Sequence, residues 1–207
     1  MSYFQIKVCG ITRIEDAILS ASLGADMIGI IFYPQSPRYA SPSKVSAIVR
    51  ELPPVVDPVG VFVDSPVNTV LRSAAKCHLT YVQLHGPYSP RDIKSLQTEG
   101  LKVIQAYVGT TTELVDSLNS SPANLVMIDN SRGTGKTFTP SAESIKELSN
   151  FVLSGSVSES NVAGGVKAYA PLVVDVNSSV ESRPGIKSKD KLKRFFSACN
   201  EIRYGSR

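Results

Sequence analysis

The sequence predicts an α/β protein, a single-domain (β/α)8 barrel spanning residues 1–207. Three observations lead there. Short apolar runs alternate with amphipathic stretches along the whole chain, as strands alternate with helices. Eight such units follow in tandem, which implies parallel strands joined by crossovers. An open doubly wound sheet accepts the same order, but no G-x-G-x-x-G follows any strand, as a dinucleotide site there requires. At about 25 residues per unit the barrel is lean. No linker or low-complexity segment divides it.

The elements follow in order. Ile6, Val8 and Ile11 form the first apolar run, punctuated by Gly10; Ile14, Ala17, Ile18 and Ala21 then recur at helical spacing as the apolar side of a helix. Asp26–Phe32 is a continuous apolar run, as for a strand buried on both faces. A helix follows over Ser43–Leu52, with Pro42 suited to its first turn. Pro58–Val63 is the third strand, and Val67, Val70, Leu71, Ala74 and Ala75 stripe the helix after it. Tyr81–Gly86 and Lys102–Val108 are the fourth and fifth strands, separated by a polar helix over Ser89–Thr98. The fifth helix, Thr112–Leu118, is weak. Asn124–Asn130 is the sixth strand and Ser141–Leu148 its helix, opened by a serine. Phe151–Val157 is the seventh strand, and Glu159–Tyr169 its helix, weakened by Gly164 and Gly165. Leu172–Asn177 is the eighth strand. The last helix, Ser188–Ile202, turns Leu192, Phe195, Phe196, Cys199 and Ile202 inward.

Composition narrows the function. A net charge of +4, from 22 basic and 18 acidic residues with no basic cluster between aromatics, gives no footprint for nucleic acid. Three widely spaced cysteines have no metal-ligand spacing and suit a reducing compartment rather than a disulfide framework. There is no signal-peptide pattern and no apolar run of about 18 residues, so a cytoplasmic protein away from membranes is expected. With 19% charged residues the chain lacks the ion-pair enrichment of hyperthermophiles, and a monomer is expected.

In such a barrel the site lies where the strands end, so polar residues are read by location. Cys9 closes the first strand, and Lys7 shares its face about 7 Å away. An ammonium there favours the reactive thiolate, although a free cysteine also packs as a small hydrophobe. Arg38 follows the second strand, Gln83 and His85 end the fourth, and Asp129 ends the sixth. Gly155 and Ser156 end the seventh, and Asn177, Ser178 and Ser179 the eighth. Each has a plain structural reading, as a solvated side chain or a turn former. Closing the barrel sets the eighth strand beside the first, so Lys7 and Asp175 pair if both face inward; a lysine inside a barrel needs such a partner. Gly133-Thr134-Gly135-Lys136-Thr137 suggests a phosphate-binding P-loop, but Asn130 stands where the signature needs its first glycine. A flexible loop beside Asp129 is the more economical reading.

These residues carry a resemblance. Lys7-Val8-Cys9-Gly10-Ile11-Thr12-Arg13, Ser36-Pro37-Arg38-Tyr39, Val82-Gln83-Leu84-His85-Gly86, Gly133 to Phe138 and Val180-Glu181-Ser182-Arg183-Pro184-Gly185-Ile186-Lys187 resemble the phosphoribosylanthranilate isomerases of tryptophan biosynthesis, in family order from end to end. The resemblance implies a compact TIM barrel, often with a degenerate fifth helix. It implies an Amadori rearrangement of N-(5-phosphoribosyl)anthranilate to 1-(2-carboxyphenylamino)-1-deoxyribulose 5-phosphate, with no cofactor or metal. Cys9 would be the base and Asp129 the acid; Arg38 would hold the anthranilate carboxylate. Lys7, His85 and Asp175 would line the substrate. Gly155, Ser156, Asn177, Ser178 and Ser179 would hold the phosphate. Serine stands at 156 and 179 where the family usually has glycine, and both are expected to contribute donors, backbone or side chain. Two other readings are a sugar-phosphate epimerase, which would want a metal-ligating histidine set where the chain has only His78 and His85, and a phosphosugar-binding barrel without turnover.

Overall fold

The computed structural model describes residues 3–107, 117–129 and 148–205. Eight parallel strands close into a barrel in sequence order: β1 Gln5–Val8, β2 Met27–Ile31, β3 Asp57–Val63, β4 Tyr81–His85, β5 Lys102–Tyr107, β6 Leu125–Ile128, β7 Phe151–Leu153 and β8 Val173–Val176. β8 pairs with β1 to complete the ring, in a register that sets Lys7 opposite Asp175. Helices Ile14–Ser22, Pro42–Glu51, Val67–Cys77, Pro90–Thr98, Val162–Tyr169 and Lys189–Tyr204 pack outside. Among the described residues, no helix is long and apolar enough to cross a membrane.

Strand alternation splits the core in two. Outward side chains, among them Ile6, Val8, Ile28, Ile30, Val82 and Leu84, meet the helices in one large cluster. Inward side chains Met27, Val59, Tyr81, Ile104, Leu125, Met127, Val152 and Val173 fill the barrel. At the bottom rim, the Asp26 carboxylate accepts from the Ile6 N–H at 2.7 Å and from Arg203 at 2.9 Å, and Arg203 also donates to the Phe4 carbonyl. The last helix is thereby tied to the first strand. Pro90–Thr98 opens on a capping box between Ser89 and Asp92, which explains a regular helix in so polar a stretch.

Four expectations change. In the first helix, Ile14 and Ile18 are exposed, while Asp16, Ala17 and Ser20 are buried. The helix is turned so that the Asp16 carboxylate receives Arg13 at 2.7 Å and the Lys187 N–H at 3.0 Å. β7 stops at Leu153 rather than Val157, because Gly155 (φ +84°) and Ser156 (φ +56°) turn the chain away. The helix after it begins at Val162 rather than Glu159; its Gly165 allows close packing, since a Cβ there would lie 2.7 Å from Leu153 Cδ2. The segment after β8 adds an antiparallel pair, β9 Glu181–Arg183 and β10 Ile186–Lys187. The helix expected over 141–148 lies outside the described residues except for Leu148, as does the glycine loop 133–137. Of the weak fifth helix, only residues 117 and 118 are described; both are helical, and Leu118 is buried.

Candidate active site

Above its apolar filling the barrel interior turns polar. Lys7, Cys9, Gln83, His85, Asp129 and Asp175 follow the inward apolar positions by alternation at the C-terminal ends of their strands. Lys7 is fully buried and its Nζ donates to Asp175 Oδ1 at 3.0 Å. The pair that closure demanded is therefore present. Burial opposes the Lys7 charge, but Asp175 and then Cys9 outweigh it and hold the ammonium above its ordinary value.

Cys9 lies just past β1, its N–H donating to the Val176 carbonyl at 2.9 Å. Its thiol and the Lys7 ammonium converge above Gly29 of β2: a Cβ on Gly29 would lie 2.8 Å from Cys9 Sγ and 3.1 Å from Lys7 Nζ. Only glycine leaves them room. The expected outcome of that closeness needs correcting. Burial pushes the Cys9 thiol above its ordinary value, and the downward pull of Lys7 and Lys187 does not overcome it, with Asp175 pushing up as well. Burial outweighs the two lysines, so the resting thiol keeps its proton at neutral pH.

Across the barrel, Gln83 Nε2 lies 2.8 Å from His85 Nε2. Burial holds the imidazole below its ordinary value with Lys7 adding to this, against the opposing pull of Asp129 and Asp64. His85 is thus neutral at pH 7. With the amide N–H donating to its Nε2, the ring proton sits on Nδ1. Gln83 Oε1 is buried and has no partner among the described residues, an acceptor for a ligand hydroxyl. Asp129, one residue past β6, is anchored by its N–H to the Tyr107 carbonyl at 2.9 Å and is half-buried.

Arg38 sits in the loop after β2, placed by a bridge between Tyr39 and Ile31. Its stem crosses Gly10, the residue after Cys9. Gly10 has φ +74°, and a Cβ there would lie 2.8 Å from Arg38 Cδ and 2.5 Å from Asn177 Oδ1. The backbone angle and the crowding both demand glycine. The guanidinium forks onto Glu181, Nε to Oε1 at 2.9 Å and Nη2 to Oε2 at 2.7 Å. Glu181 also receives Lys187 Nζ at 3.2 Å and the Gly185 N–H at 3.0 Å. Burial alone would raise the Glu181 carboxyl; Arg38, Lys187 and Gly185 together hold it below its ordinary value. Sequence reading gave Glu181 and Lys187 no role. Their signal was two charged residues flanking a Pro-Gly turn, which reads as a solvated loop.

The loops after β7 and β8 meet. The Ser179 hydroxyl donates to the Val157 carbonyl. That hydroxyl therefore joins the loops, which leaves the backbone N–H of Ser179 as the donor it can offer a ligand. Asn177 is turned toward Lys187, whose Nζ lies 3.1 Å from both its Oδ1 and its backbone oxygen. Ser178 and Ser179 open a short 3-10 turn, and no described group accepts from their N–H groups. Ser156 adopts a left-handed backbone, φ +56°, that glycine would favour. Among the described residues, no three His, Cys, Asp or Glu side chains are grouped as metal ligands.

The family model for N-(5'-phosphoribosyl)anthranilate isomerase matches residues 6–198. The chain belongs to this family. The isomerase of that name from Geobacter sp. (strain M21) is 36% identical over 204 residues, covering 96% of this chain and 98% of the relative. The crystal structure of phosphoribosyl anthranilate isomerase from Thermus thermophilus superposes with a TM-score of 0.89 at 31% identity, covering 96% of this chain and all of that one. A third isomerase, solved in complex with reduced 1-(o-carboxyphenylamino)-1-deoxyribulose 5-phosphate, matches with a TM-score of 0.84 at 34% identity over 96% of this chain and 99% of that one. The barrel, its closure and its single domain are those of the isomerase family.

Proposed function

We propose that Cys9 and Asp129 are the base and acid of a phosphoribosylanthranilate isomerisation on this rim. The activity itself, a step of tryptophan biosynthesis, follows from family membership over nearly the whole chain. Protonation of the furanose ring oxygen by Asp129 breaks its bond to C1 and leaves a protonated Schiff base to the anthranilate nitrogen. Removal of the C2 proton by the Cys9 thiolate, the minor form at rest that Lys7 and Lys187 favour, gives an enolamine, which tautomerises to the aminoketose. Cys9 takes one proton and Asp129 gives one, so the pair carries the same net charge before and after. The end-on edge of Arg38 receives the anthranilate carboxylate, a geometry suited to a planar fork. Lys7, His85 and Asp175 shape the reacting centre. The phosphate lies against Gly155, Ser156, Asn177, Ser178 and Ser179, held mainly by backbone N–H groups.

The observation that supports this reading best is the convergence of Cys9 Sγ and Lys7 Nζ over Gly29 at the mouth of the barrel. No cofactor or metal enters the scheme. The scheme calls for no residue of a second copy, and the reading keeps the expected cytoplasmic monomer acting on a free small molecule. The test is the fluorescence decay of freshly made phosphoribosylanthranilate. Cys9→Ser and Asp129→Asn should each lower kcat by about 10² or more, the scale of acid–base catalysis, while still binding a reduced product analogue. Normal turnover by Cys9→Ser would return the cysteine to a packing role.

A further inference from the structure

Arg38 has five N–H donors, and the structure shows which are occupied. Glu181 takes Nε and one edge of Nη2; Nη1 has no hydrogen-bond partner among the described residues. The guanidinium is thus gripped along its side, and its end-on edge, Nη1 with the second Nη2 proton, is left open. A carboxylate approaching that edge would meet a second bidentate fork.

The grip is itself built into the fold. Glu181 begins β9, and its side chain is 4% exposed; Lys187 ends β10, and its side chain is fully buried. The hairpin they belong to is fixed from several sides. Thr12 Oγ1 donates to the Gly185 carbonyl at 2.5 Å, the Lys187 N–H to Asp16 at 3.0 Å, and Lys191 Nζ to the Glu181 carbonyl at 2.8 Å. The first βα loop, the hairpin and the last helix therefore determine where the Glu181 carboxylate stands. The charge count also matters. Lys7–Asp175 and Arg13–Asp16 are balanced pairs, but Arg38 and Lys187 share the single carboxylate of Glu181. This cluster keeps one uncompensated positive charge, which an anionic ligand group would complete.

We propose that Glu181 is a positioning residue that aligns Arg38 for the substrate's aromatic carboxylate, with Lys187 as the second cation that leaves the cluster attractive to an anion. The inference rests on the reading of Arg38 as the carboxylate ligand given above. Through Arg38 and Gly10 it also ties the aromatic end of the substrate to the neighbour of Cys9, so that alignment of one end sets the C2 proton against the thiol.

The experiment compares two ligands by calorimetry: the reduced product analogue, and its aniline counterpart lacking the carboxylate. Glu181→Gln should weaken the carboxylated ligand about tenfold, as for one lost contact to a charged group, and leave the aniline ligand unchanged. In an Arg38→Ala background, Glu181→Gln should have no further effect. Glu181→Asp keeps the charge facing Lys187, so it guards against a failure of Glu181→Gln to fold. It is too short to span Nε and Nη2 together, and the same ligand selectivity should appear, more weakly. Equal weakening of both ligands would mean a merely structural residue and overturn the proposal. So would an undiminished effect in the Arg38→Ala background, or wild-type binding by Glu181→Asp. If Arg38→Ala itself failed to distinguish the two ligands, the carboxylate reading of Arg38 would fall first, and the proposal with it.

Discussion

Gly29→Ala isolates the geometry on which the base depends. Gly29 lies mid-strand in β2, outside the left-handed region, so alanine meets no backbone objection there. The objection is space. The added methyl would sit 2.8 Å from Cys9 Sγ, 3.1 Å from Cys9 Cα and 3.1 Å from Lys7 Nζ. Ordinary non-bonded carbon separations are about 3.5–4.0 Å, so the sulfur would be too close by about 1 Å. Rotating the thiol away relieves only the first contact. The Cα is backbone, and Nζ is held by Asp175 at 3.0 Å, so β1 and β2 must also part by a few tenths of an ångström. Such overpacking costs about 1–3 kcal/mol, and at this chain length each kcal/mol lowers Tm by about 2–4 °C. The kinetic effect should be larger, because a misplacement of about 1 Å at a reacting group costs about 10² in rate. The assay is kcat by substrate fluorescence decay beside a thermal melt and the affinity for a reduced product analogue. A stable Gly29→Ala protein with wild-type kcat would refute the argument that sulfur placement over Gly29 sets the rate.

Two further outcomes follow from the same residues. Cys9 should be alkylated slowly by iodoacetamide at pH 7: its pKa is raised, so the thiolate is the minor form at neutral pH and grows tenfold per pH unit until above the ordinary value of 9.0. Mass spectrometry of the Cys9 peptide across pH 7–10 checks this, and fast labelling at pH 7 that levels off there would contradict it. Ser156→Gly should be neutral or stabilising by up to about 1 kcal/mol, since relief of the left-handed backbone outweighs the added freedom of the unfolded chain; a lower Tm in a thermal melt would count against that strain.

The legible part of this protein is the part governed by short periods. Alternation along a strand places Lys7 and Cys9 on one face, and closure of eight parallel strands sets Lys7 beside Asp175; both relations can be read without coordinates. Periodicity misled where a polar group was drawn inward. Ile14 and Ile18 have the right spacing for a core stripe, but Asp16 is turned in to hold the Lys187 N–H, and the isoleucines go outward. The β7 end was overestimated because an apolar run cannot reveal that Ser156 takes a glycine-like φ. Glu181 and Lys187 were illegible as functional residues for a different reason. Their partners, Arg38 and Asp16, lie 143 and 171 residues away in sequence, and no local pattern encodes such a contact.

The corrected state of Cys9 bears on how the base works. Raising a thiol's pKa makes its conjugate base stronger but rarer. Each unit removes nine-tenths of the thiolate, while Brønsted behaviour returns less than a factor of ten in reactivity. Burial of Cys9 therefore works against rate at neutral pH, and Lys7 and Lys187, which pull the thiol down, work for it. Asp175 pushes the thiol up, yet it stands 3.0 Å from Lys7. The reason is that a fully buried, unpartnered ammonium would shed its proton rather than remain charged. Asp175 keeps Lys7 charged, and only a charged Lys7 can favour the thiolate. The ion pair and the base are one arrangement: the carboxylate that weakens the lysine's effect on Cys9 is also what allows the lysine to have one.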